Sequence, residues 1–149
     1  MIHKLESSML EKMMKEYKEG MCSLDAVLGV MCLCDFLVPL AVYSNNKLLN
    51  IKNRPLNLIK NNKEIKISYL IQKDITGKSF IVLYTSRAKY KSLPKGYDIY
   101  EMSLEDIIDE YKNSENDGIV INPNTDSFSF VDKQMEFLDL CVRELKKMI

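Results

Sequence analysis

The spacing of apolar residues changes along this chain, and the change limits the possible folds more than any other feature. Apolar residues recur every three or four positions from Ile2 to Tyr17, and the same helical spacing returns after Asp132. Over residues 65–72 they alternate with polar or smaller residues, which is the pattern of a half-buried strand. Strands grouped between helical ends favour an α+β fold over a doubly wound parallel fold.

Two helices are predicted before the first strand. The first has Met9 and Met13 on its apolar stripe and ends near Gly20, where glycine permits a turn. Ser23 is placed to cap the second helix, which runs to about Cys34 and is apolar almost all round. A helix of that kind belongs at the centre of the core.

The next segment contains two proline-bearing stretches. Residues 37–43 include Pro39, which restricts them to an edge strand or the beginning of a strand. Residues 44–64 are rich in asparagine and lysine and contain Pro55, and a long loop with a short strand or hairpin inside it fits them best.

Residues 65–72 and 78–85 are predicted to pair as a hairpin around the turn at residues 74–77. The segment from Thr76 to Ser79 imitates the end of a phosphate-binding loop, but Gln72 stands where that loop has its first glycine. A strand follows instead of a helix, so a hairpin turn is the favoured interpretation.

The remaining chain alternates strands with two helices. Ser103 begins a helix with the buried stripe Leu104, Ile107, Ile108 and Tyr111, and Asp132 is predicted to cap the last helix. That helix has a predicted buried stripe of Met135, Leu138, Cys141, Val142, Leu145 and Met148. We therefore predict one α+β domain over residues 1–149, with a mixed or mainly antiparallel sheet, helices at both termini and one crossover helix.

The charges balance overall but not locally. Lysine and arginine total 21, as do aspartate and glutamate, and this balance argues against nucleic-acid binding. Residues 45–66 carry six basic residues against Glu64, whereas residues 101–117 carry seven acids against Lys112. These segments are either two solvated faces or a dipolar surface suited to a charged protein partner or to self-association, so a homo-oligomer is possible.

No targeting or membrane segment is predicted. The N-terminus lacks the basic and apolar regions of a signal peptide, and the longest apolar stretch, residues 26–34, is far shorter than the about 20 residues that span a bilayer. The four cysteines fit reduced, buried thiols in a cytoplasmic protein. Cys32 and Cys34 point to nearly opposite sides of the predicted helix, so we expect no metal and no cofactor.

The chain has a poor set of catalytic residues. Its single histidine, His3, lies near the terminus, where an imidazole is hard to fix beside a nucleophile. Asp106, Asp109 and Glu110 lie opposite the apolar stripe of their helix and are expected to be solvated, where carboxylates make poor general acids at neutral pH. We predict that the chain is not an enzyme and that it binds a protein partner through a sheet edge or this acidic helix.

Several short segments occur in an order and spacing that point to a known family. They are Gly118-Ile-Val-Ile-Asn-Pro123 with Phe128-Ser-Phe130, Leu37-Val-Pro-Leu40, Gly77-Lys-Ser-Phe80 with Leu83-Tyr-Thr-Ser86, and Met102-Ser-Leu-Glu105. Over residues 37–140 the chain resembles the N-terminal domain of the SseB-like (enhanced serine sensitivity) family of bacterial proteins. Tyr84 departs from the usual phenylalanine, residues 44–64 match nothing in the family, and the C-terminal domain of longer members is absent.

The resemblance implies an α+β domain of undefined role, linked loosely to bacterial secretion, and it supplies no catalytic residues. Asn122 is predicted to end a strand, and Thr85 and Ser86 to end another and cap a helix. If these segments form a binding surface, its rim consists of Thr85, Ser86, Asn122, Pro123 and Asn124. Two alternatives stay open: a small-molecule binder or enzyme with a site near Thr85 and Asn122, and a secretion accessory or toxin-immunity protein.

Overall fold

The computed structural model describes residues 7–49, 64–90, 92–125 and 127–148. Its helices are α1 (Ser7–Lys18), α2 (Leu24–Met31), α3 (Leu104–Lys112) and α4 (Lys133–Lys147), and a single 3-10 turn covers Arg87–Lys89. Its strands are β1 (Asp35–Ser44), β2 (Lys47–Leu49), β3 (Ile65–Tyr69), β4 (Ile71–Lys73), β5 (Ser79–Leu83), β6 (Asp98–Ser103), β7 (Gly118–Ile121) and β8 (Phe128–Val131). The predicted α+β fold is confirmed, with mostly antiparallel strands.

The strands form two sheets that meet at one bridge. In the first sheet β1 pairs antiparallel with β2, β3 and β6, and in the second the order is β4-β5-β7-β8. Strands β5 and β7 run parallel, and α3 lies in the connection between them. Leu37 and Tyr84 exchange two backbone hydrogen bonds of 2.8 Å, which places β1 beside the end of β5. Strands β6 and β8 therefore lie at opposite ends of the order β6-β1-β5-β7-β8.

The core lies between the second sheet and the helices. Alternate residues of β5 point to opposite faces, so Ile81 and Leu83 pack in the helical core while Phe80 and Val82 form a smaller cluster on the other face. The helical core takes its fully buried side chains from every helix and from both sheets, and they include Leu10, Met14, Met31, Phe36, Leu104, Ile107, Ile108, Ile119 and Leu138. Within the described residues, no helix is long and apolar enough to cross a membrane.

The placement of Pro39 corrects the sequence prediction. Strand β1 is a central strand, paired with β6 along residues 35–40 and with β3 along residues 40–44. Proline lacks an N–H, but Pro39 lies between the bridge at Leu37 and the first β3 pair at Leu40, and its carbonyl accepts a hydrogen bond from the Leu70 N–H (3.2 Å). The missing donor therefore falls where β1 changes partner.

The same junction divides the strand predicted over residues 65–72. Residues of β3 pair with β1, whereas β4 pairs with β5, and Leu70 lies between the two strands. The predicted hairpin of β4 and β5 is confirmed, with the Asp74 carboxylate accepting hydrogen bonds from the Thr76 and Lys78 N–H groups. The short strand predicted inside residues 44–64 is β2, joined to β1 through two asparagines with positive φ, and residues 50–63 lie outside the described part.

The two N-terminal helices differ from prediction in register and length. On α1 the fully buried residues are Leu10 and Met14, whereas Met9, predicted on the buried stripe, is 48% exposed. Residues 1–6, where that predicted stripe begins, lie outside the described part. Ser23 caps α2 as predicted, but α2 ends at Met31 because the apolar run continues into a tight turn and then into β1.

The predicted cap of the last helix is wrong. A capping residue usually has an extended backbone, but Asp132 has φ 48° and makes no capping hydrogen bond. Its carboxylate instead lies 3.3 Å from the Lys78 ammonium. The Gln134 side chain accepts a hydrogen bond from the N–H of Val131, the residue before Asp132 (3.0 Å).

Candidate functional site

The carboxyl ends of β5 and β7 meet at one edge of the sheet because the two strands are parallel. Thr85 follows β5 and Asn122 follows β7, and both are buried. The Thr85 N–H donates to Asn122 Oδ1 (3.0 Å), and Asn122 Nδ2 donates back to Thr85 Oγ1 (2.9 Å). The structure thus brings together two of the predicted site residues that are 37 positions apart.

This pair is also tied to α1 and to the following loop. The Thr85 hydroxyl donates to Glu11 Oε1 (2.6 Å), and the Asn122 N–H donates to the Leu83 carbonyl (2.9 Å). The Asn122 carbonyl accepts from the Thr125 N–H and hydroxyl, both at 3.3 Å. Every polar side-chain atom of Thr85 and Asn122 therefore has a partner, and the cluster clamps α1 to the sheet edge.

The other three predicted rim residues do not join this cluster. Ser86 is half-buried and its side chain makes no capping hydrogen bond, so the predicted cap is wrong. Pro123 and Asn124 line a hollow of about 180 Å³ on the sheet face that carries Phe80 and Val120. Thr85, Ser86 and Asn122 are not among the residues that line this hollow.

A larger groove lies beside the clamp, between α1 and the loops after β5 and β7. We call it the α1 groove; its volume is about 710 Å³, and it is lined by Ser8, Glu11, Lys12, Lys15, Lys18, Glu19, Lys89 and Thr125. Its lysines outnumber its acids by four to two. Sequence reasoning missed the groove because the α1 lysines look like an ordinary solvated helix face, and Lys89 and Thr125 come from distant positions.

A second groove, between α2 and α4, is almost entirely apolar. This α2–α4 groove has a volume of about 330 Å³, and it is lined by Asp25, Leu28, Gly29, Cys32, Phe137, Cys141, Glu144, Leu145 and Met148. Gly29 leaves open space at its floor, since a Cβ atom there would meet nothing within 4 Å. Phe137 remains 44% exposed and Met148 82% exposed.

The groove exists because α4 has two apolar stripes. Met135 and Leu138 are buried as predicted and Val142 packs half-buried against the core, but the other later residues of the predicted stripe are not buried. Cys141 and Leu145 are only partly covered, and Met148 is largely exposed, so the prediction that they are buried is wrong. The signal in the sequence was the presence of Phe137 outside the core stripe.

The thiols that line this groove are poor nucleophiles. Burial, with a smaller contribution from neighbouring Cys141, raises the pKa of Cys32 to about 11. The pKa of Cys141 is also raised, first by burial and then by Asp25. Both groups therefore remain protonated near neutral pH, where the reactive thiolate is scarce. Among the described residues, no group of three or more histidine, cysteine, aspartate or glutamate side chains is arranged to hold a metal ion.

The charged residues of α3 are partly paired with α4. Lys146 lies 2.7 Å from Glu105, and Lys112 lies 2.7 Å from Asp139, which also contacts Arg143. Asp106 and Asp109 are exposed on the outer side of α3, as predicted, but Glu110 is half-buried beside Tyr69. Comparison of the chain with protein-family models, with curated proteins and with solved structures finds no match in any of the three.

Proposed function

We propose that this chain is a protein-binding module that holds an amphipathic segment of a partner in the α2–α4 groove. The observation that carries the proposal is the second apolar stripe of α4, which has helical spacing but is left partly exposed by the described part of the chain. Fully burying one such side chain contributes about 1.5–3 kcal/mol, so a partner that covers Phe137 and Met148 gains substantial binding free energy. A contiguous apolar surface of this kind commonly marks an interface.

The rim of the groove indicates the chemistry of the partner. Asp25 lies on the α2 wall and Glu144, which pairs with Lys147 on the solvent side (3.2 Å), lies on the α4 wall, so the charged residues that line the groove are both acidic. A partner helix with apolar residues at three- and four-residue spacing, flanked by lysine or arginine, matches both the apolar floor and the acidic rim. Such a partner would place one large apolar side chain over Gly29.

In this proposal the chain binds a protein and does not catalyse a reaction. Thr85 and Asn122 are buried and each of their polar side-chain atoms already has a partner in the chain, and the groove thiols are protonated. These observations also favour protein binding over the alternative of a small-molecule site at Thr85 and Asn122. We also propose that the chain is related to the N-terminal domain of the SseB-like family and that it is cytoplasmic.

Two substitutions in the groove should weaken partner capture without unfolding the chain. Phe137→Asp removes an exposed apolar wall, and Gly29→Leu fills the open floor while improving helix propensity. We expect either change to lower partner affinity at least about tenfold, since an interface anchor is typically worth more than 1.4 kcal/mol. The measurement is quantitative capture from native lysate on immobilised protein, followed by mass spectrometry.

The matched control is Met9→Asp, which places the same charge on an exposed apolar position of α1, where Met9 is 48% exposed, outside the groove. This variant should capture the same proteins as the unmodified chain. If Phe137→Asp and Gly29→Leu retain every captured protein at unchanged affinity, the α2–α4 groove is not the docking surface.

A further inference from the structure

The α1 groove presents positive charge on both of its walls. Lys12 and Lys15 come from α1, and Lys89 comes from the 3-10 turn on the other side. The ammonium of the third α1 lysine, Lys18, donates to the Ser127 carbonyl (2.6 Å). The Lys12 side chain is 76% exposed and lies 3.9 Å from Glu16, a distance that gives only a weak ion pair. Lysine stems also give the walls apolar surface below the ammonium groups. The groove therefore fits a segment that is acidic and partly apolar.

The acids that line the groove restrict which class of acidic ligand fits it. Glu11 is held by the Thr85 hydroxyl, and Glu19 lies at the far end of α1. A polymer with a negative charge on every unit would meet these carboxylates as well as the lysines. A protein segment with a few spaced carboxylates avoids that repulsion, and so fits better than a nucleic acid.

The chain itself carries a segment of this description. Residues 101–117 contain seven acids and one lysine, and within them α3 exposes Asp106 and Asp109 one turn apart. Asp106 and Asp109 lie on the exposed side of α3, and the Lys146 ammonium of α4 that pairs with Glu105 is close to both of them. This outward side of α3 is called the acidic face below.

The basic groove and α3 lie at opposite ends of the parallel strands β5 and β7. Lys89 and Thr125 of the groove follow the carboxyl ends of these strands, whereas the Tyr111 hydroxyl of α3 donates to the carbonyl of Asp117, directly before β7 (3.5 Å). One copy cannot place its own acidic face in its own groove without unfolding, but two copies can meet head to tail.

We infer that the α1 groove binds the acidic face of a second copy of this chain. The contact is asymmetric, because the two surfaces are different, so further copies can add in the same manner. It depends on exposed charges, and it is therefore weak, concentration-dependent and sensitive to salt. The inference is independent of the proposed docking of a partner in the α2–α4 groove.

The test is sedimentation equilibrium of the full chain at two salt concentrations. At high protein concentration in low salt, the average mass should rise to about twice the monomer mass of 17.3 kDa, and it should return to the monomer mass in about 0.5 M salt. The variant with Lys12→Glu and Lys15→Glu should remain a monomer in low salt, because its groove repels the acidic face. The variant with Asp106→Lys and Asp109→Lys should also remain a monomer.

The decisive measurement is the mixture of these two variants. In the variant with the two lysine changes, the groove and the acidic face are both negative; in the variant with the two aspartate changes, both are positive. In the mixture, the groove of one variant meets a face of opposite charge on the other, and association should be restored. A folded chain that is monomeric in low salt, or a mixture that stays monomeric, overturns the inference. Association that Phe137→Asp abolishes and the charge variants do not would assign the contact to the α2–α4 groove and also overturn it.

Discussion

Replacing Gly118 with alanine should destabilise the protein by about 3 kcal/mol or more, the upper end for inserting a carbon into packed structure. Gly118 begins β7 and pairs with Val131 of β8. A Cβ atom at this position would lie 1.9 Å from the Phe130 carbonyl oxygen and 3.0 Å from its carbonyl carbon. Because both atoms are backbone, the strands must separate to admit the methyl group. Chemical denaturation in urea measures the effect.

The matched control is Gly29→Ala, which adds the same methyl group inside α2, where nothing lies within 4 Å. Alanine is a better helix former than glycine, so this variant should gain up to about 1 kcal/mol. Opposite shifts of the two denaturation midpoints are expected. An unchanged midpoint for Gly118→Ala would contradict the close approach of β7 and β8.

Replacing Asn122 with alanine should cost about 3 kcal/mol. The change leaves the buried Thr85 N–H without its acceptor and the Thr85 hydroxyl without a donor, and each such loss costs about 1–3 kcal/mol. Alanine must also adopt the left-handed backbone of Asn122, where φ is 52°. That conformation costs an alanine about 1 kcal/mol, whereas asparagine tolerates it.

Asn122→Gly separates these two effects. Glycine adopts a positive φ without strain, so its cost reports the lost hydrogen bonds alone, and alanine should exceed it by about 1 kcal/mol. Both values come from the same urea titrations. Near-native stability of both variants would show that the Thr85–Asn122 clamp does not hold α1 to the sheet.

Features set by neighbouring residues could be predicted from the sequence. Ser23 and Ser103 accept hydrogen bonds from N–H groups three residues later, and such caps depend only on local geometry. The β4–β5 hairpin is similar, since Asp74 organises the turn through bonds to residues two and four positions away. The α+β class followed from the same local periodicity.

Features set by distant residues could not be predicted. Pro39 is tolerated in a central strand only because Leu70 and Tyr84 meet β1 at that point, and nothing near Pro39 in the sequence indicates this. The clamp joins Glu11, Thr85 and Asn122, which are separated by 37 or more positions. Sequence placed Thr85 and Asn122 at strand ends but gave no reason to include Glu11.

The sequence also could not predict how many of the apolar side chains of α4 are buried. Periodicity shows which side chains share a helix face, but it does not show how far the neighbouring helix extends along that face. Helix α2 runs beside this face but lines it in part with Gly29, which has no side chain, and Leu145 stays partly exposed and Met148 largely exposed. This incomplete cover creates the proposed docking surface.

Photocross-linking in the native cell tests that surface directly. A photoreactive benzoylphenylalanine at position 137 should yield a discrete product larger than the 17.3 kDa chain, and Gly29→Leu in the same chain should remove it. The same photoreactive residue at position 9, an exposed site on α1, should not yield that product. A product that appears equally at both positions, or that survives Gly29→Leu unchanged, would contradict docking in the α2–α4 groove.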